Sequence, residues 1–332
     1  MVSRFSGPSG ELMAWSGKRV LVTGATGFIG RRLVHRLAEV GAQVHAAALS
    51  PDKAKPAVGH SHSAVRRLVF DLRDAKAVQV AVTEAAPQII FHLAAVGVTD
   101  PSVDPALALA VNVGGAVHLL ESLREREVER VVLAGTCYEY GAAFEHEAQK
   151  ASESNNRTVC FDPFNAYAAS KVAAWAFGRM YWRAHGSPVV TMRPFQVYGP
   201  GQPSHTLTPA AIHAALTGDD FPMTLGEQKR DFIYVEDVVD GILAAAAAPG
   251  IEGQSLDLGT GRVHTVRQVV ERIWALTGAR GQMRPGALPY RSGAVMHLVA
   301  DAERTARLTG WRAQVGLEEG LKRVIEDISK NV

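Results

Sequence analysis

The sequence predicts an α/β fold, a doubly wound parallel sheet carrying a smaller C-terminal α/β lobe. Three observations predict it. Short apolar runs alternate with longer helical patterns from Lys18 to Met192, and strands alternating with helices mean βαβ units and a parallel sheet. A glycine-rich turn, Gly24 to Gly30, sits at the first strand-to-helix junction. After Arg193 the rhythm changes to longer loops rich in Gly and Pro, with isolated strand signals.

Taken in order, Lys18–Thr23 (KRVLVT) is a short apolar run that stops at a glycine and reads as the first strand. Phe28, Leu33, Leu37 and Val40 recur at helical spacing, which predicts a helix over Phe28–Val40. Gln43–Leu49 and Arg67–Phe70 are the second and third runs, and Ala75–Glu84 has a helical pattern. Gln88–His92 (QIIFH) is the fourth run. A long helix follows over Pro105–Arg126, with Leu107, Val111, Leu119 and Leu123 on its apolar side. Arg130–Ala134 and Pro188–Met192 are the fifth and sixth runs, and they flank a second long helix, Asn165–His185. Beyond Arg193, Asp231–Val235 and Ser255–Leu258 read as isolated strands, and Thr265–Leu276 and Leu317–Ile328 as helices. The expected division is a loose extension over 1–17, a sheet domain over 18–192 plus about 229–250, and a lobe over 193–228 plus about 251–332. Ligands are expected at the C-terminal ends of the strands.

Composition narrows the function. Of 332 residues, 47% are hydrophobic and 20% charged, which excludes disorder across the chain. A formal net charge of +2 excludes a strongly basic nucleic-acid binder. Two cysteines, Cys137 and Cys160, cannot build a disulfide framework, so a reducing, cytoplasmic setting is expected. No continuous apolar run reads as a bilayer span, the first 17 residues lack the apolar segment of a signal peptide, and no metal site is expected.

The turn Thr23-Gly24-Ala25-Thr26-Gly27-Phe28-Ile29-Gly30 carries the first chemistry. Gly24 permits the tight turn, Gly27 lets a pyrophosphate reach the backbone, and Gly30 lets helix and strand pack closely. The helix N-terminus offers N–H groups to the phosphates. A carboxylate at the end of the second strand would bond the ribose hydroxyls of NAD. Val44–Ser50 (VHAAALS) has none, while Arg31, Ser50, Lys53 and Lys55 stand near. NADP(H) is therefore favoured, with NAD(H) as the alternative. Asp71 could accept from an adenine amino group, and the small residues of His92-Leu93-Ala94-Ala95 would let a cofactor lie on the backbone.

Tyr167 and Lys171, at i and i+4, share one helix face. An ammonium beside a phenol favours the phenolate and is expected to lower its pKa from about 10. Such a tyrosine can exchange a proton with a sugar oxygen while hydride moves to or from nicotinamide. Thr136, at the end of the fifth strand, could bond the same oxygen.

These residues resemble the extended short-chain dehydrogenase/reductases that act on nucleotide-sugars, over almost the whole chain from Lys18 to Ile328. The resemblance rests on TGATGFIG at 23–30, Asp71, HLAA at 92–95, Asn112-Val113-x-Gly115, Thr136 to Gly141, and Tyr167 with Lys171. It continues through Arg193-Pro194, Tyr198-Gly199-Pro200, Arg230-Asp231-Phe232 and Val235-x-Asp237-Val238. It implies a Rossmann sheet and a triad of Thr136, Tyr167 and Lys171. Leu72, Leu93, Ala94, Ala95 and Asn112 join the cofactor site. The substrate set is Cys137, Tyr138, Gln196, His205, Arg230 and Arg291, with Arg230 on the diphosphate. The two long helices would form a four-helix homodimer interface.

Within that family, the 4,6-dehydratases place Asp and Glu after the triad Ser or Thr, where this chain has Cys137 and Tyr138. With unperturbed pKa values of about 8.5 and 10, these replace a carboxylate pair poorly. Cys137 reads as a small packed residue. Glu139-Tyr140-Gly141, Phe195 and Pro200-Gly201-Gln202 are similar to the 4-keto-6-deoxyhexose reductases, from which Gln196 departs. The expectation is an NADPH-dependent 4-ketoreductase of a nucleotide-diphospho-4-keto-6-deoxyhexose. The alternatives are a 4-epimerase with bound NAD and a dehydratase variant using Cys137 as proton donor.

Overall fold

Successive residues of a strand point to opposite faces of a sheet, and here both faces are covered. Val20, Val22, Val44 and Phe91 pack with Leu33 and Leu37 on one face. Leu21, Ile90, Val131 and Leu133 pack with Val78, Val82, Leu119 and Leu120 on the other. Two covered faces demand the near-continuous apolar runs of the sequence. The computed structural model describes residues 15–50, 65–100, 102–141, 161–291 and 293–330. Lys53, Lys55 and Cys160 lie outside the described residues.

The sheet half runs β1 (Arg19–Thr23), α1 (Phe28–Glu39), β2 (Gln43–Ala48), β3 (Val65–Val69), α2 (Ala75–Ala85), β4 (Ile89–His92), α3 (Pro105–Ser122), β5 (Arg130–Ala134), α4 (Ala166–His185) and β6 (Val189–Pro194). There follow β7 (Gln196–Tyr198), α5 (Leu207–Thr217), β8 (Phe221–Met223), β9 (Lys229–Arg230), β10 (Phe232–Tyr234), α6 (Val235–Ala247) and β11 (Ser255–Leu258). The chain closes with β12 (His264–Thr265), α7 (Val266–Thr277), β13 (Met283–Pro285), β14 (His297–Leu298), α8 (Ala302–Thr309) and α9 (Leu317–Ser329).

The main sheet has seven strands in the order β11-β6-β5-β4-β1-β2-β3, every neighbouring pair parallel. This is the Rossmann arrangement, and the strand order reverses between β1 and β4, where a crevice opens for a ligand. Register puts Thr23 of β1 beside His92 of β4, so the glycine turn and the HLAA turn leave the sheet side by side. The lobe has its own core, in which Ile212, Phe232, Tyr234, Val269, Ile273, Leu321 and Val324 converge from α5, β10, α7 and α9.

Several expectations need correction. Ser255–Leu258 is not an isolated lobe strand but the seventh strand of the sheet, paired in parallel with β6 from Ser255↔Thr191 to Leu258↔Pro194. Trp15 is 3% exposed and its ring lies 6.1 Å from Phe91, so residues 15–17 cap the core rather than trail from it. The expected strand Asp231–Val235 shrinks to three residues because Val235 already opens α6. Helices α5, α6 and α8 escaped the sequence reading. Alanine-rich α6 is buried along Val238, Val239, Ile242 and Leu243, so burial rather than amphipathic contrast defines it. The long helix α3 ends at Ser122, and its middle, Leu109–Gly114, is wound as a π-helix. By length and a mean hydropathy of 1.2, Pro105–Ser122 could cross a bilayer, but Leu119 and Leu120 lie in the sheet core.

Candidate active site

The glycine turn is shaped for a dinucleotide. Gly24 takes φ +69°, and a Cβ there would stand 2.6 Å from Ala94 N, so the first turn rests directly on the backbone of the HLAA turn. A Cβ on Gly30 would meet Gly24 O at 2.1 Å, whereas one on Gly27 would find Gly24 O alone, at 3.2 Å. Gly27 therefore leaves an open side beside the N-terminus of α1. That terminus has no side-chain cap and no acidic residue in its first turn, which leaves its positive end for an anion. These residues fit the pyrophosphate of a nicotinamide dinucleotide, held by the backbone N–H groups of Phe28, Ile29 and Gly30 with Thr26 exposed at the rim.

Other predicted cofactor residues behave differently. Arg31 donates to Gly201 O, and its neighbour Arg32 donates to Pro200 O and, at 2.9 Å, to Glu236. Both arginines tie α1 to the loop after β7, so Arg31 is committed in part to Gly201 and is less available to a 2′-phosphate than the sequence suggested. Ser50 is half-buried just past β2, beyond Ala48 and Leu49, and no carboxylate stands at that strand end. The Asp71 carboxylate accepts from Arg73 Nε and Nη2 at 2.9 and 2.6 Å, which holds it below the usual range. Leu72 is buried, and its carbonyl meets His118 Nδ1 at 2.8 Å.

Asn112 is corrected from a cofactor contact to a clamp. From the π-turn of α3, its Oδ1 accepts from Val96 N at 2.9 Å, and its Nδ2 donates to Val96 O and Ser170 Oγ at 3.1 and 2.9 Å. Ser170 Oγ in turn donates to Tyr167 O at 2.7 Å. The amide thus fastens the segment after Leu93, Ala94 and Ala95 to the helix that bears the triad. Such π-turns often mark functional positions.

The triad is assembled as expected. Asn165 caps α4 by accepting from Ala168 N at 2.8 Å, so Tyr167 enters on the first turn and Lys171 on the second. Gly178 brings α4 close to β5: a Cβ there would lie 2.7 Å from Leu133 Cδ1. Thr136, Tyr167 and Lys171 are 6%, 7% and 4% exposed. The Thr136 hydroxyl lies near the Tyr167 phenol and acts on its acidity, while accepting from Tyr138 N at 3.4 Å. Lys171 Nζ donates to Ala134 O at 2.8 Å and lies 5.9 Å from the centre of the Tyr167 ring.

Electrostatics reverses one expectation. Burial lowers Lys171 to about 8, with Glu139 pulling it upward. Tyr167 is pushed above the ordinary phenol value, again chiefly by burial, with the nearby Thr136 hydroxyl opposing. Lys171 aims its ammonium at a carbonyl, and in this state desolvation outweighs its effect on the phenol. With these groups alone Tyr167 is a phenol at neutral pH, and it needs a further positive charge beside it to act as a base.

Four of the six predicted substrate residues converge. Tyr138 lies within electrostatic reach of Arg230 and Arg291 and donates to Gln196 Oε1 at 3.4 Å. Arg230 is braced by Val295 O at 2.5 Å and Lys229 O at 2.8 Å. Cys137 is 2% exposed against Phe195, Val295, Leu298 and Ala300, and burial pushes its thiol up to about 12. It packs, and a proton-donor role for it is not supported. His205 is exposed in the turn before α5, and among the described residues no hydrogen bond, ion pair or ring contact ties it to the others. A separate cleft of about 690 Å³ lies in the lobe between Thr260, Gln268, Trp311 and Leu317, and includes no triad residue.

Sequence reasoning missed Glu139. It is wholly buried, its Oε1 accepts from Thr136 N at 2.8 Å, and its Oε2 accepts from Arg193 Nε at 2.7 Å. The signal was present: Thr136-x-x-Glu139 has capping-box spacing, and Thr136 caps the single 3₁₀ turn Cys137–Glu139.

A dinucleotide cradle at the strand ends and a buried Thr–Tyr–Lys group define a nicotinamide-dependent oxidoreductase of the short-chain dehydrogenase/reductase type. Residues 20–259 match the model of the NAD dependent epimerase/dehydratase family, and the chain belongs to that family of nucleotide-sugar enzymes. It is 32% identical over 322 residues to a UDP-glucose 4-epimerase of Mycolicibacterium smegmatis, covering 93% of this chain and 97% of that one. It is 28% identical over 342 residues to a mouse dTDP-D-glucose 4,6-dehydratase, covering 98% of this chain and 92% of the other. Among solved structures, the UDP-glucose 4-epimerase of Thermus thermophilus in complex with NAD superposes with a TM-score of 0.79. That pair is 30% identical and covers 95% of this chain and 100% of that chain.

Proposed function

We propose that this chain is a nucleotide-sugar 4-epimerase working through a retained NAD. The observation that carries the reading is the turn after β5. Thr136 faces Tyr167, but the next two positions hold Cys137 and Tyr138, both pushed by burial toward their neutral forms. Loss of water from a sugar calls for an acid and a base beside the leaving hydroxyl, and neither side chain serves well. Epimerisation at C4 needs neither. It needs one group that takes the proton of O4 and returns it, and Tyr167, with Thr136 beside it, would do so as the phenolate once the positive charge of a bound nicotinamide offsets its burial. A nicotinamide bound along the glycine turn supplies the hydride acceptor and donor. Hydride would leave C4 as the proton leaves O4, and both would return after the 4-keto sugar has presented its opposite face, so C4 is inverted and nothing is consumed. The epimerase relatives support this reading over the 4-ketoreductase.

Arg230 and Arg291 suit a diphosphate, since guanidinium groups bond phosphate oxygens strongly. The proposal takes NAD rather than NADP, because Arg31 is engaged with Gly201. A homodimer through α3 and α4 is also proposed: Leu107, Leu109, Phe177 and Met180 are 39–60% exposed on those helices. A monomer by light scattering would refute the dimer. The cytoplasm is the proposed compartment, resting on the free Cys137 thiol, and recovery from a secreted fraction would refute it.

The test is incubation of the purified protein with UDP-glucose and no added cofactor. Formation of the C4 epimer without net NAD(P)H oxidation is expected. NADPH oxidation with a 4-keto-6-deoxy sugar nucleotide, and no epimerisation, would replace the proposal with the reductase. Cys137→Ser is expected to retain most of the turnover, because the thiol only fills space. A collapse of turnover in that variant, with normal folding, would restore a chemical role for Cys137.

A further inference from the structure

We propose that Glu139, held by Arg193, is a positioning residue for the triad: its carboxylate fixes the backbone of Thr136 and places one buried negative charge behind Tyr167 and Lys171. This deepens the function proposed above and rests on Tyr167 and Lys171 as its working groups.

The geometry leaves the carboxylate little freedom. Glu139 Oε1 takes the Thr136 N–H at 2.8 Å, which sets Thr136 in extended conformation at φ −157° and ψ 149° with its hydroxyl toward Tyr167. Oε2 takes Arg193 Nε at 2.7 Å. The guanidinium stands 4.8 Å from the Phe161 ring, 5.3 Å from Tyr140 and 5.8 Å from Trp175. Gly135 completes the fit, because a Cβ there would sit 2.3 Å from Glu139 Oε1. Arg193 and Glu139 are 1% and 0% exposed. A fully buried ion pair is an expensive way to stabilise a fold, since well-packed apolar residues often serve as well. Its place directly under Thr136 gives it a function that apolar residues could not fill.

The surrounding groups make the charge effective. His92, from β4, faces Lys171 and is held neutral by burial, down to about 3. Cys137 and Tyr138, from the turn after β5, face Tyr167 and are also neutral at pH 7. Arg193 from β6 and Asp257 from β11 act on one another and on Tyr140. From outside α4, Glu139 acts on both Tyr167 and Lys171, its charge offset in part by Arg193 at 2.7 Å. Glu139 raises both groups, which favours the ammonium of Lys171 and makes the Tyr167 phenolate, once formed, a stronger proton acceptor.

Glu139→Gln tests this, because the amide oxygen can still accept from Thr136 N while the charge is gone. The enzyme is labelled with carbon-13 at the lysine side-chain ends and titrated by NMR without substrate, with Lys171→Met to assign the signal. Lys171 is expected to titrate near 8 in the parent and roughly one pH unit lower in the variant, as for loss of a nearby opposite charge. The alkaline limb of the activity profile should move by the same amount. Because Arg193 loses the carboxylate it bonds and keeps Asp257 only at electrostatic reach, the double variant Glu139→Gln with Arg193→Met is measured alongside. An unshifted Lys171 in a folded variant overturns the proposal, and so does failure of both variants to fold, which would make the pair purely structural. The NMR titration uses no sugar nucleotide, so a failed epimerase assay leaves it intact.

Discussion

Tyr167→Phe is expected to lower turnover by about 10²–10⁴-fold, the usual contribution of a positioned proton donor. The ring stays, so its packing against Val103 and Ala108 is kept, and cofactor retention and thermal stability should change little. The phenolic oxygen is the group that lies near the Thr136 hydroxyl, and its loss leaves the sugar oxygen with Thr136 alone. A threonine hydroxyl is far too weak an acid to give up its proton at this rate. The measurement is turnover under saturating substrate beside the cofactor content of the purified variant. Turnover within a few-fold of the parent would remove Tyr167 from the chemistry. Loss of cofactor would instead mean that the phenol holds the nicotinamide.

What was legible in the sequence follows from where the determinants lie. Strands β1, β4, β5 and β6 were readable because each is buried on both faces, so its side chains are apolar almost without interruption. The edge strand β3 instead exposes Arg66 and Arg67 and starts at Val65, two residues before the run read from the sequence. The triad was readable because helical spacing alone places Tyr167 and Lys171 on one face. Ser255–Leu258 was found as a strand but put in the wrong layer, because four residues say nothing about which edge they join; only the pairing with β6 decides that. Arg31 was misjudged for a similar reason. A cation after a glycine turn can reach several anions or carbonyls, and its partner, Gly201, is 170 positions away in the chain. Asn112 looked like a ligand contact, but its three hydrogen bonds, two to Val96 and one to Ser170, are tertiary and invisible to spacing. Glu139 is the instructive case, since the Thr-x-x-Glu pattern marks a cap while its burial with Arg193 comes only from the fold.

The two later glycines of the first turn should fail in different ways. Gly30→Ala places a methyl 2.1 Å from Gly24 O and 2.9 Å from Gly24 C. Both are backbone atoms, so no side chain can swing aside, and α1 must move off β1. Overpacking of this kind costs about 1–3 kcal/mol, sometimes more, and a lowered melting temperature is expected together with loss of bound cofactor. Gly27→Ala meets only Gly24 O, at 3.2 Å, a contact that a shift of a few tenths of an ångström relieves. That variant should fold with nearly the parent's melting temperature. Its new methyl occupies the open side where the pyrophosphate must approach the backbone, so cofactor should still be lost. Melting curves and the absorbance of released dinucleotide check both variants. A Gly27→Ala protein that keeps its cofactor would show that the dinucleotide does not lie on this turn. A Gly30→Ala protein as stable as the parent would show that α1 and the Gly24 carbonyl are not as close as 2.1 Å requires.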